Sequence, residues 1–256
     1  MATHVASYRL VARQAMRLAI VTAAITEPLS AQPRGGKGFL FQRPTATISI
    51  RGGAAQPSAS GDIFRFVSKQ LTVDRRDYLG AAVAADVAFA LSNRVEIVAS
   101  AATSARRINS EYRDFVDNSD LPIEQTTALR RTPLTMGVRY NLLPSGRSVS
   151  RYAWVPAPFT PYVAAGAGVV NYRFAQDGDF VDFKTNDVFN TSLSSSGWTS
   201  ATYLAGGAQW NLNPNVALNT EVRYDQGQAS LGRDFEGFRR MSLAGVGVTA
   251  GFTFRY

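Results

Sequence analysis

Six charged residues stand within largely apolar stretches of the sequence, and their types and spacing indicate chemistry. They are three arginines and three carboxylates: Arg51, Asp86, Glu96, Arg139, Glu221 and Arg223. Each falls on the polar side of an alternation of apolar and polar residues. Buried charges persist in proteins when opposite charges are paired with them. The equal numbers therefore predict ion pairs within a shared interior, and not a catalytic centre.

The sequence contains few of the side chains that usually carry out catalysis. The chain has no Cys, and its single histidine is His4, in a segment that we expect to be removed. Without that histidine, neither a Ser-His pair nor an Asp-His general base can form. Without thiolate or imidazole ligands, only carboxylates remain for binding a metal. We therefore expect no enzymatic activity, no cofactor and no metal site.

The chain is basic, with 27 Lys and Arg against 19 Asp and Glu and a net charge of +8. Such an excess suits either nucleic acid or the phosphates of a lipid surface. Proteins that bind single-stranded nucleic acid combine basic residues with aromatic stacking platforms, and no Lys/Arg cluster here is interleaved with aromatics in that way. We therefore expect no nucleic-acid partner.

The first 43 residues differ in composition from the remainder. Residues 1–31 combine arginines, a short apolar run and a small-residue exit, which is typical of a signal peptide for the general secretory route. Translation from Met16 in place of Met1 would shorten the long basic region, and the sequence leaves the two starts open. Residues 32–43 are predicted to be a Gly-rich basic linker, and residues 44–256 a single β domain.

Alternation with period 2 recurs along this domain and predicts eight strands. The segments are 45–54, 79–91, 94–106, 126–142, 161–174, 201–212, 216–225 and 240–256. Tight turns at 92–93 and 213–215 and a link at 144–158 alternate with four long polar connections, near 55–78, 107–127, 175–198 and 226–238. An even number of strands joined alternately by short and long connections is typical of a transmembrane β-barrel.

The two faces of the strands distinguish a membrane barrel from a soluble one. One face carries the six charges, whereas the other carries Ile, Val, Leu, Phe and Ala without any charge. A secreted soluble sandwich, the alternative, would place charges freely on its solvated face. We therefore predict an all-β fold, an eight-stranded antiparallel up-and-down transmembrane β-barrel with short periplasmic turns and long extracellular loops. The paired charges would fill the lower half of its narrow lumen, and Tyr140, Trp210 and Tyr256 would be interfacial aromatics.

The C-terminus carries the most specific motif. Residues 249–256, TAGFTFRY, read polar-x-Gly-x-x-apolar-x-apolar. In this motif, and over residues 44–256, the sequence resembles the small eight-stranded outer-membrane barrels of the OmpA, OmpX and OmpW type. The resemblance implies that Thr249, Gly251, Phe254 and Tyr256 are recognised by the barrel-assembly machinery. It also implies residence in the outer membrane, with outer-membrane lipid and lipopolysaccharide as partners.

The first long connection contains a helical pattern. In residues 60–78, four apolar residues recur at helical spacing behind a cap formed by Ser60 or Asp62; they are Ile63, Phe64, Val67 and Leu71. The sequence leaves two arrangements open. The helix either lies on the barrel rim, with Arg75 and Arg76 towards lipid phosphate, or forms a hydrophobic plug.

Aromatic residues in the other long connections indicate an apolar vestibule: Phe115, Phe180, Phe183, Phe189 and Phe235. The resemblance to OmpW-like barrels implies that such a vestibule takes a small hydrophobic ligand. The expected function is a structural or surface-interaction role, or OmpW-like passage of small hydrophobic molecules. A narrow ion-permeable, porin-like channel is the alternative, and the lumen charges oppose it. A lipid-modifying outer-membrane enzyme is the third candidate, and the lack of histidine opposes it.

Overall fold

The computed structural model describes residues 38–116, 120–182, 185 and 187–256. The predicted signal peptide, residues 1–31, lies outside these ranges, and so does the first half of the predicted linker. Eleven strands occur in the part described: β1 Ala46–Pro57, β2 Gly80–Ala90, β3 Val95–Val116, β4 Pro122–Asn141, β5 Gly146–Ser150, β6 Ala153–Pro156, β7 Phe159–Val181, β8 Val188–Asn211, β9 Val216–Ala229, β10 Met241–Ser242 and β11 Gly245–Arg255. One α-helix, α1 Asp62–Gln70, and 3₁₀ turns at Arg75–Tyr78 and Arg233–Phe235 complete the elements.

Eight of these strands form one closed antiparallel ring. Its order is β1, β2, β3, β4, β7, β8, β9 and β11, and β11 pairs again with β1. The amides of Thr45 and Ala46 both donate to the Tyr256 carbonyl, at 3.1 and 3.4 Å. Closure leaves no unpaired edge on the ring, and it confirms the predicted eight-stranded up-and-down barrel.

The outer surface of the ring is apolar along the membrane-crossing part of the strands. Beyond that part Arg130 faces outward, so the prediction of an uncharged outer face was wrong for that end of segment 126–142. Ile50, Met136 and Leu204 are 56%, 64% and 64% exposed, whereas the inward-facing Ser49 and Arg139 are each 1% exposed. This distribution inverts the rule for water-soluble proteins, in which large apolar side chains are the ones removed from solvent. A lipid environment removes the cost of exposing them, and the fold is therefore a transmembrane barrel.

Two of the predicted long loops are mostly strand. Residues 107–127 and 175–198 continue the hairpins β3–β4 and β7–β8, which stay paired out to Glu111 opposite Glu124 and to Val181 opposite Val188. The four strands have 20 to 24 residues, whereas a tilted crossing needs about 9–11. The loop prediction was wrong there because the outward residues of these extensions are mostly polar, whereas Ile108, Tyr112 and Ile123 face inward. The apolar outward face from which the other strands were predicted is therefore lost.

The helix α1 closes the long-loop end of the barrel. Ile63, Phe64 and Val67 are fully buried, and the Phe64 ring packs edge-on against Tyr78 at 5.2 Å and Phe174 at 5.8 Å. Of the two arrangements left open by the sequence, the structure therefore has the plug. We call the segment 58–78, together with the 3₁₀ turn Arg233–Phe235 and β10, the cap.

The prediction that Ser60 or Asp62 caps the N-terminus of α1 is wrong. The residue before α1 is Gly61, and no side chain bonds to the first turn. Asp62 pairs with Arg65 on the helix itself. In the residues that the structure describes, no helix is long and apolar enough to cross a membrane.

The opposite end carries the short turns and one small hairpin. The link at 144–158 contains β5 and β6, and Leu40 exchanges two backbone hydrogen bonds of 2.8 Å with Trp154 of β6. The predicted linker therefore makes a specific strand contact in its second half. Trp210 packs against Phe159 at 5.3 Å on the outer wall at this end.

Candidate functional site

An ion-pair network crosses the barrel lumen. Arg51 on β1 reaches Asp86 on β2 at 2.7 Å and Glu221 on β9 at 2.8 Å. Arg139 on β4 reaches Glu96 on β3 at 3.2 Å and Asp86 at 3.7 Å. The structure thus brings together five of the six predicted residues, in the order Glu221, Arg51, Asp86, Arg139, Glu96, and all five are buried.

Strand geometry places these side chains inside. Successive residues of a strand point to opposite faces, so Arg51 points inward because its neighbour Ile50 faces lipid. Glu96 and Arg139 are direct partners in the β3–β4 register. Arg51 and Glu221, in contrast, belong to strands separated by β11, and their pairing depends on the curvature of the closed ring.

Arg223, the sixth predicted residue, lies beside the network and outside its ion pairs. Its Nε bonds to Asp225 at 2.8 Å, two positions later on the same strand. Its two terminal nitrogens donate to Ser100 at 3.2 Å and Thr135 at 2.9 Å. The prediction of three arginines against three carboxylates therefore needs a correction, because Asp225 is the carboxylate that pairs with Arg223.

Two tyrosines complete the polar interior, and sequence reasoning missed both. The Tyr162 hydroxyl donates to Glu221 at 2.9 Å, and its ring lies 4.5 Å beneath the guanidinium of Arg139. The ring of Tyr203 lies 3.8 Å beneath Arg223. Cations are attracted to the faces of aromatic rings, so these contacts add to the ion pairs.

Glycines on neighbouring strands make room for the tyrosines. A Cβ at Gly207 would lie 2.5 Å from the Tyr162 hydroxyl oxygen, and one at Gly137 would lie 2.5 Å from that of Tyr203. A large side chain that reaches across a narrow barrel requires a residue without a side chain at the point where it contacts the opposite strand. The glycines within the predicted strands were a sequence signal for large side chains in the lumen. Using that signal to place Tyr162 inside required knowing which residues of 161–174 face the lumen.

A small cavity separates the network from the cap. Its volume is about 50 Å³, enough for one or two water molecules. Small residues line much of it, including Ala55, Ala82 and Ala84, and Arg131 closes its upper side with a 2.7 Å hydrogen bond to the Leu243 carbonyl. The cavity therefore lies between two sets of buried side chains, the network on one side and the cap on the other.

The predicted aromatic vestibule is not a single open space. Phe235 is buried in the cap and Phe115 packs against the same cluster. Phe180 and Phe189 instead stack on each other at 6.1 Å on the β7–β8 hairpin, and Phe183 lies outside the described residues. The expectation of one vestibule was wrong because two of the five phenylalanines belong to an extended hairpin and one to the filled cap.

The residues of the C-terminal motif occupy both faces of β11. Phe254 and Tyr256 face outward, while Thr249 and Gly251 face the lumen. A Cβ on Gly251 would lie 2.0 Å from the Ile50 carbonyl oxygen, so the wall requires glycine here. The predicted interfacial aromatics Tyr140, Trp210 and Tyr256 are also exposed on the outer wall, at the short-turn ends of their strands.

Among the residues with described coordinates, no group of three His, Cys, Asp or Glu is placed to hold a metal ion.

No protein-family model and no curated protein matches the sequence. Solved structures resemble this fold at low sequence identity. Neisserial surface protein A is 10% identical with a TM-score of 0.44, over 82% of this chain and 96% of its own. Ail of Yersinia pestis is 13% identical with a TM-score of 0.39, over 86% of this chain and 100% of its own. CarO of Acinetobacter baumannii is 14% identical with a TM-score of 0.33, over 84% and 98%. By its closed ring of eight antiparallel strands and its apolar outer surface, this chain is an eight-stranded transmembrane β-barrel.

Proposed function

We propose that this protein is an outer-membrane barrel with a closed lumen, and that it acts through the surface it presents outside the cell. The observation that carries the proposal is closure at two levels. The network around Arg51 and Arg139 fills the lower lumen, and the cap around Phe64 fills the mouth. Removing one partner of a buried ion pair leaves the other charge buried without compensation, so such pairs resist disruption.

The long hairpins supply the surface. β3, β4, β7 and β8 extend well past the length that a bilayer crossing requires, so they project as ordered sheet. At the far end of β3–β4, Val116 and Leu121 are 57% and 59% exposed. Exposed apolar residues on a projecting hairpin suit contact with another surface, which supports a structural or surface-interaction role.

Passage of small hydrophobic molecules is the second candidate. The observation in its favour is the apolar cap, whose aromatic residues would have to separate to admit a guest. The 50 Å³ cavity beneath it is far smaller than the roughly 300 Å³ of an ordinary ligand pocket, so passage would require the cap to move. A porin-like channel would require displacement of the network as well.

We further propose that the protein is not an enzyme, that the general secretory route exports it, and that the barrel-assembly machinery inserts it.

Single-channel recording on the refolded full-length protein tests the closed lumen. We expect no steady conductance from the wild type, because both levels of the lumen are filled. A stable open current at low voltage would refute the proposal and favour the porin-like alternative.

Attachment assays test the surface role. Replacing residues 113–123 with a two-residue turn shortens the β3–β4 hairpin and leaves the ring intact. A matched control replaces residues 150–153 with Gly-Ser at the short-turn end. Cells expressing the first variant should attach less to abiotic surfaces and to one another than cells expressing the wild type or the control. Unchanged attachment, with equal amounts of folded protein, would contradict a role for the hairpin surface.

A further inference from the structure

Three arginines form a cluster on the outer wall of the barrel. Arg107, Arg130 and Arg173 belong to the adjacent strands β3, β4 and β7, and all three are exposed. Arg130 lies directly opposite Arg173 in the strand register, and Arg107 lies opposite Ala128, the next outward position of β4. A tight group of cations therefore stands on one side of the barrel.

Repulsion within the cluster is only partly compensated, because a single carboxylate, Asp177, lines the same groove. Like charges directly opposite each other on neighbouring strands are destabilising. Within the described ranges, none of the three arginines makes an ion pair: the ion pairs found there involve Arg51, Arg65, Arg76, Arg139, Arg223 and Arg239. An anion from outside the chain would offset the repulsion.

The height of the cluster identifies the source of that anion. Along the outward face of β4, Tyr140 at the short-turn end is followed by Val138, Met136 and Leu134, all exposed, and then by Thr132 and Arg130. Ten residues separate Tyr140 from Arg130, about 34 Å along the strand, or about 25 Å along the membrane normal at a tilt of roughly 40°. This equals the expected apolar band of about 25 Å. The arginines therefore stand at the level of the lipid headgroups on the long-loop side.

The wall at this point is also concave. A groove of about 430 Å³ is lined by the three arginines together with Arg106, Ala105, Ala128, Leu129, Ala175 and one carboxylate, Asp177, which accepts a hydrogen bond from Ser192. The alanines leave an open floor between guanidinium groups, whose planar forks match phosphate oxygens. On the other side of the barrel, the outward residues near the long-loop ends of β1 and β9 are uncharged: Gln56, Tyr224 and Gln226. The arginine cluster is absent from those positions, although the exposed Arg75 and Arg76 lie near the long-loop end of β1.

We propose that this arginine groove binds the phosphate groups of an anionic lipid in the leaflet on the long-loop side. The outer-membrane location makes a phosphorylated glycolipid the occupant. Its phosphates would bridge Arg107, Arg130 and Arg173, while its acyl chains lie against the apolar band below. The inference rests on the membrane orientation in the proposed function, but it is independent of whether the lumen conducts.

The test measures lipid binding to the refolded full-length barrel in detergent. The variant is R107Q/R130Q/R173Q, and the control is R147Q/R151Q/R239Q, which removes the same charge elsewhere. The probes are diphosphorylated lipid A, the same lipid without phosphates, and inorganic phosphate. We expect the groove variant to bind diphosphorylated lipid A at least tenfold more weakly than the wild type, and the control to bind it normally. Dephosphorylated lipid should bind wild type and groove variant equally weakly.

Three results would overturn the inference. Equal binding by the wild type and the groove variant would show that the groove is not the site, and equal weakening in the control would show a non-specific effect of charge. If inorganic phosphate binds as tightly as the lipid, the site takes a soluble anion and the lipid assignment fails. Heat-modifiable gel migration verifies that each variant is folded, and R130Q alone should already weaken binding if the triple variant does not refold. Each of these readouts is separate from conductance, so this inference and the closed lumen fail independently.

Discussion

Arg51 and Glu221 approach to 2.8 Å across the barrel lumen, although 170 positions separate them in the chain. Their strands are not neighbours in the sheet, because β11 lies between them. The contact therefore forms only when the ring is closed. The proposed blocking of the lumen therefore depends on closure of the barrel. Substitutions at Arg51 or Glu221 should affect both.

Glu221→Gln should destabilise the folded barrel. The change leaves Arg51 with Asp86 alone and weakens the acceptor of the Tyr162 hydroxyl, and losing one partner of a buried ion pair costs about 3–5 kcal/mol. Urea unfolding in lipid vesicles, followed by Trp fluorescence, measures the free energy of unfolding. The exposed Glu124→Gln is the control and should change it by less than about 0.5 kcal/mol. Equal effects of the two substitutions would show that the network does not stabilise the barrel.

A double-mutant cycle separates the pair from its surroundings. R51M/E221L removes both members, and replacing buried ion pairs by apolar residues is often neutral. The double variant should therefore be less destabilised than the sum of R51M and E221L. Simple additivity of the two single changes would indicate that Arg51 and Glu221 do not interact energetically.

Opening the lumen should require two changes at once, because the network and the cap lie in series. Arg139→Ala with Glu221→Ala empties part of the lower lumen, and replacing residues 60–72 with a short Gly-Ser loop removes α1. We expect steady current in planar bilayers only when both changes are combined. Current from the network variant alone would show that the cap does not seal the mouth.

Tyr78→Phe should leave the cap intact or stabilise it. The Tyr78 hydroxyl is buried and has no hydrogen-bond partner among the described residues, and a buried unpaired polar group costs about 1–3 kcal/mol. Burial, with a smaller contribution from Asp77, also raises the pKa of Tyr78 above its ordinary value.

The raised pKa of Tyr78 gives this prediction a pH dependence. Below a pH of about 10, the ordinary pKa of tyrosine, the side chain is protonated in both states and contributes no pH dependence. Above it, the opened cap releases the proton more readily than the closed cap, so the closed cap loses stability as the pH rises. Limited proteolysis of residues 58–78 at pH 8 and pH 11 measures this, and Tyr78→Phe should show a smaller increase in cleavage. Faster cleavage of the variant at pH 8 would contradict the assigned role of the hydroxyl.

Deleting residues 254–256 should prevent assembly. β11 pairs with both β1 and β9, and Phe254 is opposite Ile48 on one side and Val216 on the other. The deletion removes the acceptor of two backbone hydrogen bonds from the start of β1 and exposes a sheet edge. Heat-modifiable migration of membrane fractions measures the folded fraction, with Tyr256→Phe as a control that should assemble normally. Normal insertion of the truncated chain would refute the prediction.

Local alternation determined much of this architecture from the sequence alone. Ile50 faces lipid and Arg51 faces the lumen because consecutive strand residues point to opposite sides, and the same rule placed Phe254 outside and Thr253 inside. The eight strands, their closure and the inward direction of the six charges followed from such patterns. The extended hairpins did not, because their outward residues are mostly polar and the apolar outward face used to predict strands is lost there.

Only the tertiary structure decided which inward residues meet. Arg223 pairs with Asp225 and not with the network, and Tyr162 joins Glu221 to Arg139, because register and curvature set the distances between strands far apart in the chain. The same dependence applies to the outer wall, where Arg130 faces Arg173 and stands next to Arg107 only through the register of β3, β4 and β7. The sequence determines the face on which a strand residue lies, since that is a property of one strand. The neighbour it meets there is a property of several strands together, and so it is fixed only by the folded barrel.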